Sequence, residues 1–254
     1  MKAATNISNT KKKSFWKQLS SKYFGIEERF VWLVGIYPQR VKRLLRHFIS
    51  FQDFPKNAHN ENWFMVLGVY VLELFCIPEI YESISSLVKF KTRSLTDSEV
   101  ELGLSIFGES INYDLIRMDE GAYFVAKSKH ICYVSFHTIN NWGTLSASIF
   151  IHELMHVWQY ERMGAMYIPR ALKAQNTKMG YNYGGVEALQ QHQDIGLSAF
   201  NLEQQADIVG DYYRIKKGLK PRWGKGQTAD LPVYKTYIKQ VRSGEYMDIP
   251  PVIE

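Results

Sequence analysis

The stretch FIHELMHVWQY, residues 150–160, decides how this chain is read. On an α-helix, His152 and His156 stand at i and i+4, so both imidazoles leave from one side. Glu153 sits in the same turn. A catalytic zinc needs this arrangement: two neutral nitrogen ligands and a carboxylate that can work on a water at the metal. The flanking residues predict the helix. Ile149, Phe150, Ile151, Leu154, Met155, Val157 and Trp158 make it apolar on nearly every side, as in a buried core helix. Thr144 or Ser146 is placed to cap its start, and Gly164 to end it. The competing reading is a buried helix whose histidines are merely hydrogen-bonded. Two histidines at this spacing with the glutamate between them weigh for metal.

A catalytic zinc takes three protein ligands and a water. The best-placed third ligand is Glu203, in NLEQQADIVGDYY at 201–213. Glu203 and Asp207 share one helical face. One carboxylate can bind metal while the other accepts a hydrogen bond from a ligating histidine and sets its tautomer. Asp211 continues that face. Leu202, Ala206, Ile208, Val209, Tyr212 and Tyr213 predict that this helix is largely buried, where an unpaired carboxylate is costly. Asp207, His192 and Glu187 are the alternative third ligands. Tyr181, Tyr183 and His192, from the segment between the two helices, are candidate donors to an oxyanion.

The rest of the chain bounds the class. Its 254 residues suit one large domain, or a core with an appendage. Cys76 and Cys132 make neither a disulfide framework nor a zinc knuckle. The net charge of +6 is modest, with Lys11, Lys12 and Lys13 in an N-terminal run. It admits an anionic partner such as a membrane surface. No nucleic-acid module is visible, so no nucleic-acid partner is expected. No signal peptide is read: the lysine run leads into SFWKQLSSKYFG, not an apolar run with a cleavage site. The expected location is the cytoplasm, or outside the cell by a dedicated secretion system, with peripheral membrane association as a further expectation.

Residues 1–20 read as a flexible basic tail and 21–94 as a helical N-terminal region. Residues 22–50 predict a helix with Arg40, Lys42, Arg43 and Arg46 among apolar residues. Packing against the protein is the simpler role for that face; lying on anionic lipid is the other. WFMVLGVYVLELFCIP, 63–78, is interrupted by Glu73 and falls short of the roughly 20 residues of a spanning helix. A buried or interfacial helix is expected there, then a helix over 79–88. Thr96 and Glu99 predict a capping box for a helix running to Phe107. Residues 111–118 and 122–126 read as short strands. HICYVSF at 130–136 is the best strand candidate, aromatic and β-branched; an ordinary internal strand is the favoured role, and an edge strand that pairs with an extended peptide is the other. After Pro221 the sequence is rich in Pro, Gly and charge, and is expected to wrap the surface.

The HExxH motif with a downstream ExxxD resembles the gluzincin metallopeptidases. FIHELMHVWQY, INYDLIR at 111–117 and NLEQQADIVGDYY are similar to the metallopeptidase-like domains encoded with Rhs and Vgr proteins and bacterial contractile injection systems. The resemblance covers about residues 95–217. It implies His152, His156 and Glu203 as zinc ligands, Glu153 as general base, and an injection-system or Rhs/Vgr partner. It departs from thermolysin-like enzymes in the longer gap before Glu203. The expected fold is α+β and mostly helical. A zincin-like core at 95–220 would hold an active-site helix, a small sheet and a second ligand-bearing helix, followed by an extension at 221–254. The expected function is a zinc-dependent metallopeptidase acting on a peptide or protein. A catalytically inactive, zinc-stabilised accessory module of a delivery system is the alternative.

Overall fold

The computed structural model describes residues 27–50, 61–89, 91–122 and 132–244. The expected tail at 1–20, the strand over 122–126 beyond its first residue, the start of HICYVSF and the chain after 244 lie outside them. In order come α1 (27–49), α2 (Trp63–Leu74), α3 (Ile77–Val88), β1 (Thr92–Ser94), α4 (Asp97–Phe107), β2 (Arg117–Asp119), β3 (Tyr133–Ser135) and β4 (Thr138–Asn140). Then follow α5 (Ala147–Met163), α6 (Tyr167–Gln175), α7 (Gly185–Gln191), α8 (Leu202–Lys216) and α9 (Leu231–Ser243). The fold is α+β and mostly helical, with a helical N-terminal region.

Local signals act where they were read. Thr96 and Glu99 form a reciprocal capping box on α4. Ser146 caps α5 by accepting from the Ile149 N–H. Asn201 and Gln204 cap α8 in the same reciprocal way. Gly164 ends α5 with φ +67°. A Cβ there would collide with the Glu73 carboxylate and the Arg43 guanidinium, so tertiary packing demands the glycine as much as the backbone does.

Other expectations are corrected. Within 111–118 only Arg117–Asp119 is strand; Tyr113–Leu115 is a 3-10 turn, because the Asn112 side chain accepts from the Asp114 N–H and closes it. The stretch 63–78 is not one helix. It breaks at Cys76, whose φ is +56°, and the two flanking helices meet at a 59° bend. Among the described residues no single helix is long and apolar enough to cross a membrane; α2 and α3 together pass by length and composition. Residues 231–243 form a core helix, not a surface wrap. Tyr234, Tyr237, Ile238 and Val241 of α9 are buried against α4, α7 and α8.

The sheet has the order β1-β2-β4-β3, with β2 and β4 parallel and the other pairs antiparallel. Among the described residues β3 is therefore a terminal strand. Helix α5 runs beside this sheet, with α8 packed along it and α4 and α9 beyond. The main core gathers residues of the sheet, α5, α8 and α9, including Ile139, Leu154, Trp158, Ile208 and Tyr237. A second cluster around Tyr160, Met163 and Tyr167 joins α5 and α6 to Trp32 of α1.

Candidate metal centre

Helices α5 and α8 bring His152, His156 and Glu203 to one buried point. The histidine Nε2 atoms lie 3.2 Å apart. Glu203 Oε2 lies 3.4 Å from the first and 3.3 Å from the second. One ligand atom from each residue fits within a 4.8 Å group that can hold a metal ion. No other such group occurs among the described residues.

The hydrogen-bond network fixes which nitrogens carry protons, though no proton is seen directly. His152 Nδ1 lies 2.8 Å from Asp207 Oδ1. An ionised carboxylate only accepts, so Nδ1 donates and Nε2 keeps its lone pair. His156 Nδ1 lies 2.8 Å from Gln159 Oε1. The Gln159 amide nitrogen is engaged with Leu202 O and Gln205 Oε1, so its oxygen faces the imidazole and His156 Nδ1 also donates. Two nitrogen lone pairs thus converge with a carboxylate oxygen. Glu203 Oε2 is buried and has no hydrogen-bond partner, while Gln175 donates to Oε1 at 2.7 Å. Such a cluster is self-repelling unless a cation lies between its atoms.

Charge reinforces this. Although burial opposes it, bonding to Asp207 and Glu203 pushes the His152 imidazole up to about 10. His156 rises too: burial works against its charge, and Glu203 overcomes it. Burial raises Glu203 less than the two imidazoles lower it, so its carboxyl sits well below the usual range. Burial raises the Glu153 carboxyl, partly offset by the imidazoles. With no cation among them, these groups draw protons onto the imidazoles; a metal ion at the convergence point would take the place of that positive charge.

Glu153 borders the same cleft, with Oε2 buried and lacking a hydrogen-bond partner. The cleft encloses about 940 Å³. Its walls include Tyr133 and Val134 of β3, Trp142, Tyr181 and Arg222. Of the candidate oxyanion donors, Tyr181 lines the cleft, its ring 6.0 Å from that of His152. Tyr183 and His192 do not. The Tyr183 hydroxyl is bonded to Asp211 at 2.9 Å and Tyr234 at 2.7 Å inside the core. His192 caps α7 and packs edge-on against Phe200. Glu187 is exposed on α7, so neither it nor His192 is placed as a ligand. Asp207 faces the back of His152 rather than the convergence point.

Sequence reasoning missed several supporting groups. Gln159, one turn past His156, was legible as an i+3 neighbour on α5. Gln175, Arg222 and Trp223 were not, because no periodicity links them to the motif. Trp223 donates its indole N–H to Asp207 Oδ2, and Arg222 reaches Asp207 Oδ1 at 3.3 Å. Their backbone N–H groups bond Asp211. The segment after α8 thus clamps Asp207, which orients His152, and Asp211 one turn further along α8. Cys132 places its thiol beside Glu153, and burial raises it far above an ordinary thiol.

No family model matches the chain, and no solved structure matches it. The chain is 30% identical over 137 residues to the type VI secretion system spike protein VgrG2b of Pseudomonas aeruginosa. The match covers 49% of this chain and 13% of that protein, so the chain carries a partial, distant homology to a Vgr spike protein.

Proposed function

We propose that this chain is a zinc-dependent metallopeptidase that works with a Vgr-type injection system. The observation that carries the reading is the convergence of two locked Nε2 lone pairs with Glu203 Oε2 beside Glu153. Two ligands about 2.0–2.1 Å from one zinc at a tetrahedral angle lie about 3.3–3.4 Å apart. The distances of 3.2, 3.4 and 3.3 Å fit that spacing. His152, His156 and Glu203 would hold the metal. Zinc bound there supplies Lewis acidity toward a water and a scissile carbonyl.

The protein's own groups supply the rest. Asp207 and Gln159 hold the imidazoles in the metal-binding tautomer. Glu153 accepts the proton of the attacking water and returns it to the leaving amine. Tyr181, the one of the three candidate donors that lines the cleft, would donate its hydroxyl to the oxyanion. β3 ends the sheet among the described residues and its residues enter the cleft wall, so an extended peptide can add to that edge with its scissile bond near Glu153.

An inactive, zinc-stabilised accessory module is the second reading, favoured by the similarity to a spike protein. One variant separates the two. Glu153→Gln should keep about one zinc per chain and lower peptide cleavage by about 10²–10⁴-fold. Wild-type protein that holds zinc and cleaves nothing in a broad peptide library would leave the accessory reading. Protein that holds no zinc, cobalt or nickel after gentle purification removes both.

A further inference from the structure

The N-terminal helices are built inside out. On α3, Ile77, Ile80, Tyr81, Ile84, Leu87 and Val88 form one helical stripe, and all are exposed. The opposite face, with Glu79, Glu82 and Ser86, is buried. Across 63–88 every exposed residue is apolar, aromatic or glycine except Tyr81's hydroxyl. The only charged residues there, Glu73, Glu79 and Glu82, are buried. α1 repeats the pattern in part, with Glu27, Gln39, Lys42 and Arg46 exposed as well and Ile36 buried. Arg29, Arg40 and His47 point inward, while Val34, Leu45 and Ile49 face out.

The inward charges lie in ion pairs with one another. Arg40 makes a two-pronged pair with Glu79 and also donates to the Glu73 carbonyl at 2.8 Å. Arg43 pairs with Glu73 at 3.3 Å, and Arg29 lies 3.6 Å from Glu82. Across α2 and α3 no charge reaches the outer surface; the exposed charges of the layer, Glu27, Lys42 and Arg46, lie on α1. A contiguous exposed apolar surface of this kind marks an interaction site.

We propose that the outer face of α1–α3 inserts into the interface of an anionic lipid bilayer. Three observations choose lipid over another occupant. The face of 63–88 offers no charge with which a protein partner could be oriented. α2 and α3 together have membrane-segment length and composition, yet each helix is about 18 Å long against a hydrocarbon core of about 30 Å, so they lie in the interface instead of crossing it. The sequence that precedes α1 is one-sided in charge. Residues 1–26 hold six lysines and no acidic residue, so residues 27–254 are neutral overall. Lys42 and Arg46 add exposed positive charge on α1. Basic charge next to an immersed apolar face is the pattern that favours anionic headgroups. This inference does not depend on the metal centre.

The test is flotation of the full chain with phosphatidylcholine vesicles, with or without an equal part of phosphatidylglycerol. Wild type should float with the anionic vesicles, and less as salt rises. Ile80→Glu/Ile84→Glu should reduce binding at least tenfold while keeping the metal content and helicity of wild type. Ile84→Ser, a milder change, should give a smaller loss and keeps the test decisive if the acidic pair fails to fold. The proposal fails if wild type stays soluble with anionic vesicles, or if Ile84→Ser and the acidic pair float as well as wild type. It also fails if wild type is a dimer by light scattering that the acidic pair dissolves without any flotation, which would make a second copy the occupant.

Discussion

The α5–α8 pair and the α1–α3 layer both bury charge, and they do so to opposite ends. Between α5 and α8, the buried groups converge on one point and leave Oε2 of Glu203 and of Glu153 without a hydrogen-bond partner. In α1–α3, each buried carboxylate meets an arginine, and what lacks a partner is the apolar exterior. The first region is incomplete toward its inside and calls for a cation. The second pairs its buried carboxylates with arginines and turns an apolar face outward. A buried ionic cluster therefore says little until the direction of its unmet valence is known.

The largest break of this contrast comes from the convergence point itself. His152→Ala removes one of three ligands, and metal content should fall from about one per chain to none by elemental analysis. In the N-terminal layer, Arg40→Met leaves Glu79 buried and uncompensated. It should cost about 3–5 kcal/mol in denaturant unfolding, and Arg40→Met/Glu79→Leu should recover most of that. Recovery by the apolar pair would mark these charges as structural, unlike those of the metal centre.

Smaller effects should come from residues that orient the ligands. Asp207→Ala or Gln159→Leu should each weaken metal binding about 10–100-fold in a chelator competition. Metal affinity unchanged by either would mean that the tautomers are held some other way. The smallest effect lies at the seam of the two regions. His137 is buried between Glu82 of α3 and Glu161 of α5, with Arg29 behind Glu82 and Tyr160 edge-on to its ring. Burial disfavours its charge, but the two carboxylates overcome this and push it up to about 9. A histidine raised on folding stabilises fully below its unfolded value of about 6.5, and that contribution fades as pH rises through 9. Wild-type melting temperature should drop between pH 6.5 and 9.5, by about 2–4 °C per kcal/mol lost. With metal saturating, the drop should be smaller in His137→Gln. Equal drops would show that the seam does not hold a charged imidazole.

The metal centre was more legible than its supports. His152, His156, Glu203 and Asp207 follow from helical spacing within two segments, and that spacing survives in the structure. Gln175 and Trp223 reach the same centre from other elements, and no local pattern records that. α9 carried a signal that went unused. Tyr234, Tyr237, Ile238 and Val241 stand at i, i+3, i+4 and i+7, but the Pro-, Gly- and charge-rich run before them drew the whole segment to the surface. The apolar run at 63–78 is divided instead. A buried or interfacial helix is expected there, and the structure buries Trp63, Val66 and the one charge, Glu73, while Phe64, Leu72 and Phe75 are exposed.

The amino-acid sequence by itself determined the helices, their caps and which side chains share a helical face, because those depend on neighbours three or four residues apart. Only the tertiary structure decided which nitrogens keep their lone pairs, that α9 belongs to the core, and that α1–α3 turn their apolar faces outward. Tautomer, burial and ion pairing are set by groups tens of residues distant in the chain, and they exist only once the elements pack.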